Sequence, residues 1–308
     1  MTSGYVPACG PWDVAATLGS LRHHDLPGVQ RTEGSTHTRV LATGRSHLVL
    51  RLHLEESGVR WQAYSPGAQE LDVAAIDALV TWWFDLDTDT ATIDTHLAAD
   101  PYLGDHVRRR PGVRITRHPD FREGVLTTIL GQQVSLAAAR TFAGRLAAAY
   151  GTKVGQLPSG DGHGVAGTPP VRAFPDPRQV ARVPLEDLRR TIGLTGTRAR
   201  TLHEAAALLA THTPGGPTLP APVRAPGGPA LGEAVLRDLA ALRGIGPWTR
   251  QILALRAAGD GDALPASDGV LRRALGGVSA REVTGLAGAW QPYRGYAVVR
   301  LWAQATKT

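Results

Sequence analysis

The residues best suited to chemistry lie late in the chain. LRGIGPWTRQ (242–251) sets Gly244 and Gly246 around one apolar residue, Ile245, and follows them with Pro247 and Trp248. Paired glycines permit a tight turn with positive φ. Pro247 suits the first turn of a following helix, where its missing N–H does no harm. Ile245 can plug the turn into a core. The first N–H groups of that helix then point outward and attract an anion such as phosphate. An ordinary corner between two packed helices needs the same residues, and the hairpin alone leaves both readings open.

Asp268 follows in LPASDGVLRRAL (264–275). Ser267 or Asp268 should cap the helix that begins at GVLRRAL. A carboxylate there can be a cap and nothing more. It is also a fixed negative charge, suited to stabilising a sugar oxocarbenium ion as it develops. Trp248, Tyr293, Tyr296 and Trp302 fall in the same region. Such rings more often fill cores, but their π-faces can stack on bases and attract cationic ones.

The elements that must position these residues are mostly helices. LGEAVLRDLAALRGIGPWTRQILALRAAG (231–259) reads as helix, hairpin, helix, and PLEDLRRTIGLTGTRARTLHEAAALLA (184–210) repeats that form. HPDFREGVLTTILGQQVSLAAARTFAGRLAAAYG (118–151) reads as two helices, and SDGVLRRAL and PYRGYAVVRLWAQA supply two more. Earlier, THTRVLATG, HLVLRLHLEE and VRWQAYSPG (within 36–67) alternate as short strands, with LDVAAIDALVTWWFDL (71–86) as a helix on the sheet they form. The expected fold is α+β: a mixed domain over residues 1–100 with a small antiparallel sheet, then an all-helical domain over 101–308. Gly/Pro-rich segments near 155–179 and 213–230 read as surface loops.

No strand precedes the glycines at 244–246, which removes the dinucleotide-binding reading. No lysine follows them, which removes the Walker-type phosphate loop. The net charge is +6 and nearly all of the basic residues are arginine, since only Lys153 and Lys307 are lysines. Arginine pairs with phosphate in two-pronged fashion, though a GC-rich genome produces the same bias. One cysteine, Cys9, excludes an intrachain disulfide and a four-cysteine iron–sulfur or zinc site, and suits a reducing cytosol. No apolar run approaches a membrane span and no secretory leader is read at the N-terminus, so a cytoplasmic protein is expected.

Taken together, LRGIGPWT, LPASDG and YRGYAVVRLW resemble the helix–hairpin–helix DNA glycosylases, in their AlkA-like 3-methyladenine DNA glycosylase II branch. FREGVLTTILGQQVSLAAARTFAGRLAAAYG is similar to that family's helix pair carrying the DNA wedge. IGLTGTRARTLHEAA is similar to its Gly-Leu…Arg-Ala helix, and WWFDL with DPYLG to its interdomain junction. The resemblance implies base excision repair: flipping a damaged base out of double-stranded DNA and hydrolysing its N-glycosidic bond, with alkylated purines as substrates. It implies that Gly244, Ile245, Gly246, Thr249 and Arg250 grip a DNA phosphate, mainly through main-chain groups and with a possible monovalent cation between. Gln132 and Gln133 would meet DNA at the wedge, Asp268 would be catalytic, and Trp302, Trp248, Ile252 and Tyr293 would contact the base. No cofactor is expected, nor a metal for the chemistry. The partner is DNA, met by a monomer associated with a bacterial nucleoid.

Strand-cutting relatives carry a lysine nucleophile where this chain has Trp248, so base removal should leave an abasic site without strand scission. The chain departs from the family pattern elsewhere. Gln133 stands at an apolar wedge position, Ile252 at a pocket tyrosine and Ser20 at an N-terminal pocket phenylalanine. These departures keep open another lesion (hypoxanthine, uracil or an oxidised purine). A non-catalytic helix–hairpin–helix DNA-binding protein is the remaining alternative.

Overall fold

A computed structural model describes residues 1–43, 46–65, 71–155, 171–212 and 231–305. The first part runs β1 (Thr2–Pro7), α1 (Val14–His23), β2 (Gln30–Glu33), β3 (Thr36–Thr43), β4 (Ser46–Glu55), β5 (Gly58–Tyr64) and α2 (Val73–Phe84). Then come α3 (Thr90–Leu97), α4 (Gly104–Arg109), α5 (Phe121–Leu130), α6 (Leu136–Tyr150), β6 (Thr152–Gly155), β7 (Val171–Ala173), α7 (Pro177–Arg182), α8 (Leu185–Ile192) and α9 (Gly196–His212). The chain closes with α10 (Leu231–Ala240), α11 (Pro247–Arg256), α12 (Gly269–Ala274), α13 (Ala280–Leu286), a 3₁₀ turn at Ala287–Trp290 and α14 (Arg294–Ala305).

The sheet is antiparallel, in the order β1-β5-β4-β3-β2. Alternation on β4 puts Leu48, Leu50, Leu52 and Leu54 on one face, where they pack with Trp83 and Phe84 of α2. The three strands expected from the sequence form its centre. The two edge strands, β1 and β2, were not expected, because TSGYVP contains glycine and proline and QRTE is short and polar.

The second part is mostly helical but carries one small sheet. Val171–Ala173, inside the expected loop at 155–179, pairs with β6, and Val171 and Ala173 pack on Val40 and Val49 of the larger sheet. Pro177–Arg182 is a helix opened by a capping box at Asp176. Burial of two apolar side chains against a preformed surface overrides the loop-like composition around them. The remainder of that segment, 156–170, and the expected loop at 213–230 lie outside the described residues.

The helices build two cores rather than one. Leu126, Ile129, Leu146, Leu202, Leu239 and Leu253 belong to the first. The second gathers Ile93, Leu97, Leu255, Leu271, Trp290 and Val298. α11 feeds both, with Leu253 on one side and Leu255 on the other. α3 packs with the C-terminal helices, so this second core begins before the boundary expected at residue 101. Tyr296 Oη donates to Asp85 at 2.8 Å and Arg300 pairs with Asp94, which fastens the junction to α14.

Candidate active site

Between α1, α6, α11 and α14 lies a cavity of about 1190 Å³. Asp268, Trp248, Ile252, Arg256 and Trp302 are among its lining residues. Asp268 is the N-cap of α12: its Oδ1 accepts from the N–H groups of Val270 (3.0 Å) and Leu271 (2.9 Å). The same oxygen accepts from Trp302 Nε1 at 3.0 Å, and Oδ2 accepts from Trp248 Nε1 at 3.0 Å. All four partners donate, so the carboxylate acts only as an acceptor. Cap and cavity carboxylate, which the sequence leaves as alternatives, are one group here. The two indoles, from helices far apart in sequence, hold it in place.

The stripe on α11 explains how the cavity wall forms. Trp248, Ile252 and Arg256 recur every fourth residue and so share one helix face. Val299, Trp302 and Ala303, at positions i, i+3 and i+4, share a face of α14 in the same way. Arg256 closes the stripe. Its guanidinium donates to Ser20 Oγ on α1 at 3.1 Å and lies 5.5 Å from the Trp302 ring centroid. Burial lowers its pKa to about 10, with Asp268 opposing that shift. His24 and His118 line the same space. Burial first, and the nearby Arg256 second, drive both below the ordinary histidine value, His118 to about 3. Both rings are therefore neutral at pH 7.

The hairpin between α10 and α11 sits at the surface. Gly244 has φ 97°, and a Cβ there would stand 2.4 Å from Thr201 Oγ1. Ile245 is buried in the first helical core. Gly246 is the N-cap of α11 with φ −82° and offers no side-chain cap. Nothing lies within 4 Å of where its Cβ would be. The outward end of α11 is thus open to an anion, flanked by exposed Arg243 and Arg250. Gln132, in the turn between α5 and α6, donates its amide to Gly244 O and Thr249 Oγ1, each at 2.8 Å.

The AlkA N-terminal domain family matches residues 6–120, and the HhH-GPD superfamily of base excision DNA repair proteins matches residues 126–282. The chain belongs to the HhH-GPD superfamily. It is 33% identical over 301 residues to the probable bifunctional transcriptional activator/DNA repair enzyme AlkA of Mycobacterium tuberculosis, covering 96% of this chain and 56% of that protein. The chain thus spans little more than half the length of that relative. It is 26% identical over 293 residues to DNA-3-methyladenine glycosylase 2 of Escherichia coli, covering 95% and 94% of the two chains. The 3-methyladenine DNA-glycosylase structure from Archaeoglobus fulgidus shares the fold at TM-score 0.73 with 18% identity, covering 99% and 98%.

Against the expectations for an HhH-GPD protein, the structure brings Asp268, Trp248, Trp302 and Ile252 to one cavity. It leaves Tyr293 out. That ring lies edge-on to His96 (5.3 Å) and Tyr296 (6.4 Å) in the second helical core, before the α14 stripe begins. Gly246 lacks the positive φ expected of it, so Gly244 alone takes the left-handed turn. Thr249 is buried, and its hydroxyl braces the hairpin. Gln132 likewise spends its amide inside the protein and is not on a helix. Gln133, beside it, is exposed with φ 53° and is the one that projects. Arg256, His24 and His118 were not anticipated. For Arg256 the signal was present, since it continues the every-fourth-residue stripe of Trp248 and Ile252. For the two histidines there was none.

No helix among the described residues is long and apolar enough to cross a membrane. No cluster of three or more metal-ligating side chains occurs among them either.

Proposed function

We propose that the chain is a monofunctional DNA glycosylase that releases alkylated purines from double-stranded DNA and leaves an abasic site. The observation that carries this reading is the Asp268 carboxylate, fixed by two indoles at the wall of a cavity large enough to admit a base, beside an open hairpin. The hairpin grips one phosphate, while exposed Gln133 enters the stack from which the base leaves. Flipping costs a few kcal/mol, least at a damaged pair. In the cavity the base stacks on Trp302 and the sugar C1′ comes to Asp268. An alkylated purine is a good leaving group, so the enzyme's task is to stabilise the positive sugar and direct water to it. Asp268 supplies the negative charge, and the chemistry calls for no metal. The carbonyls of Leu242, Arg243 and Gly244 each accept one hydrogen bond within the protein. A lone pair remains on each, a donor set that fits a monovalent cation shared with the phosphate.

The absence of strand scission rests on Trp248, which occupies the hairpin position where a lysine nucleophile would stand. Lys153 lies on β6, in the small sheet, and does not line the cavity. The enzyme acts as a cytoplasmic monomer on nucleoid DNA. The test is incubation with methylated duplex DNA. Free 3-methyladenine or 7-methylguanine should appear, with strand breaks only after alkaline treatment and no borohydride-trapped adduct. Binding without release of any base would leave a DNA-binding module and remove this reading.

A further inference from the structure

The cavity holds a cation where a pocket for cationic bases would gain by having none. Arg256 projects from the α11 stripe beside Trp302, and no carboxylate among the described residues lies within 4.0 Å of it. Among the described residues its guanidinium makes one side-chain hydrogen bond, to Ser20 Oγ, and its Nε is buried with no acceptor. A guanidinium carries five donors and no acceptor, so most of its hydrogen-bonding capacity is unused. A buried donor left in that state favours any ligand that brings an acceptor.

No other charge among the described residues pairs directly with Arg256. His24 and His118 are neutral. Arg39 is paired with Glu123, and Arg117 with Asp85. Asp268 favours the Arg256 charge from beyond ion-pair distance, and it already accepts four N–H groups. Arg256 also lies over the Trp302 ring, so it takes up part of the π-attraction that the ring would otherwise give a cationic base.

We propose that Arg256, positioned by Ser20, is a specificity-determining residue that donates to a carbonyl oxygen of the extruded base, so that neutral keto-edged bases gain relative to cationic methyladenine. The proposal rests on the glycosylase reading above and concerns how one side chain sets the balance among its substrates. A site built around a donor rejects an analogue that lacks the acceptor more strongly than an apolar wall can. Where a phenylalanine would only pack, the Ser20 hydroxyl keeps the guanidinium turned into the cavity.

The test compares release of hypoxanthine, a neutral 6-keto purine, with release of 3-methyladenine, each from a duplex of the same flanking sequence. Single-turnover rates are measured for the wild type, Arg256→Gln, Arg256→Lys and Ser20→Ala. The hypoxanthine-to-3-methyladenine ratio should fall by about tenfold or more in Arg256→Gln. It should fall less in Arg256→Lys, which keeps the charge, and in the same direction in Ser20→Ala. Should Arg256→Gln fail to fold, the other two variants decide. A ratio that stays within twofold of the wild type in every folded variant overturns the proposal and leaves the glycosylase reading intact. A wild type that releases neither base removes the glycosylase reading and this proposal with it.

Discussion

Gln132 and Gly244 stand 112 positions apart, yet the Gln132 amide donates to the Gly244 carbonyl at 2.8 Å. The same amide reaches Thr249 Oγ1. Two surface loops are thereby braced as one unit: the turn that presents Gln133 and the hairpin that faces a phosphate. A loop that must displace a base works best when the phosphate it pulls against is held by the same rigid body.

Gln132→Ala should therefore weaken duplex binding although Gln132 itself does not face DNA. The loss of two hydrogen bonds should lower stability by about 1–2 kcal/mol. Titration of abasic duplex and a denaturation curve measure the two effects. Unchanged binding would show that the brace matters only to stability.

Asp268→Asn should abolish base release while duplex binding persists. The substituted amide presents N–H groups toward the donors of Trp248 or Trp302, and the negative charge is gone. As an N-cap, Asn is close to Asp, but one indole N–H loses its acceptor, so stability should fall by about 1–3 kcal/mol. Release measured under single turnover checks this, and a fully active Asp268→Asn would end the catalytic assignment.

The two hairpin glycines should respond differently. Gly244→Ala forces a side chain into φ 97° against Thr201, and should cost about 1–3 kcal/mol of stability. Gly246→Asp meets ordinary φ and open space, so the fold should survive. Its charge should weaken binding to duplex of any sequence and flatten the dependence on salt. Thermal melts separate the first effect, and salt titrations of binding the second.

Stability should fall as the solution is acidified from pH 7 to pH 5. His37 is buried against Trp83, and burial first, with Arg39 second, lowers its pKa to about 3; His118 is lowered to about 3 as well. In the unfolded chain both take up protons near pH 6.5, so below that value the unfolded state binds more protons and gains. Each contributes up to about 1.4 kcal/mol per pH unit across that window. A melting temperature flat between pH 7 and pH 5 would contradict it, and His37→Gln should make the slope shallower.

The sequence by itself determined the local features. The helices over 118–151, 184–210 and 231–259 follow from apolar spacing, and the central strands from alternation. The turn at 244 follows from glycine, and the cap at Asp268 from its place before GVLRRAL. Each depends on interactions within a few residues, where propensity and periodicity act. The edge strands were hidden because their pairing, not their composition, makes them strands. Tertiary structure alone decided that two indoles meet Asp268, that Gln132 holds the hairpin and leaves Gln133 to face outward, and that Tyr293 packs away from the cavity. It also brought Ser20 to Arg256 across 236 positions. Those contacts depend on how helices pack across the chain, and packing directions are not written in any one segment.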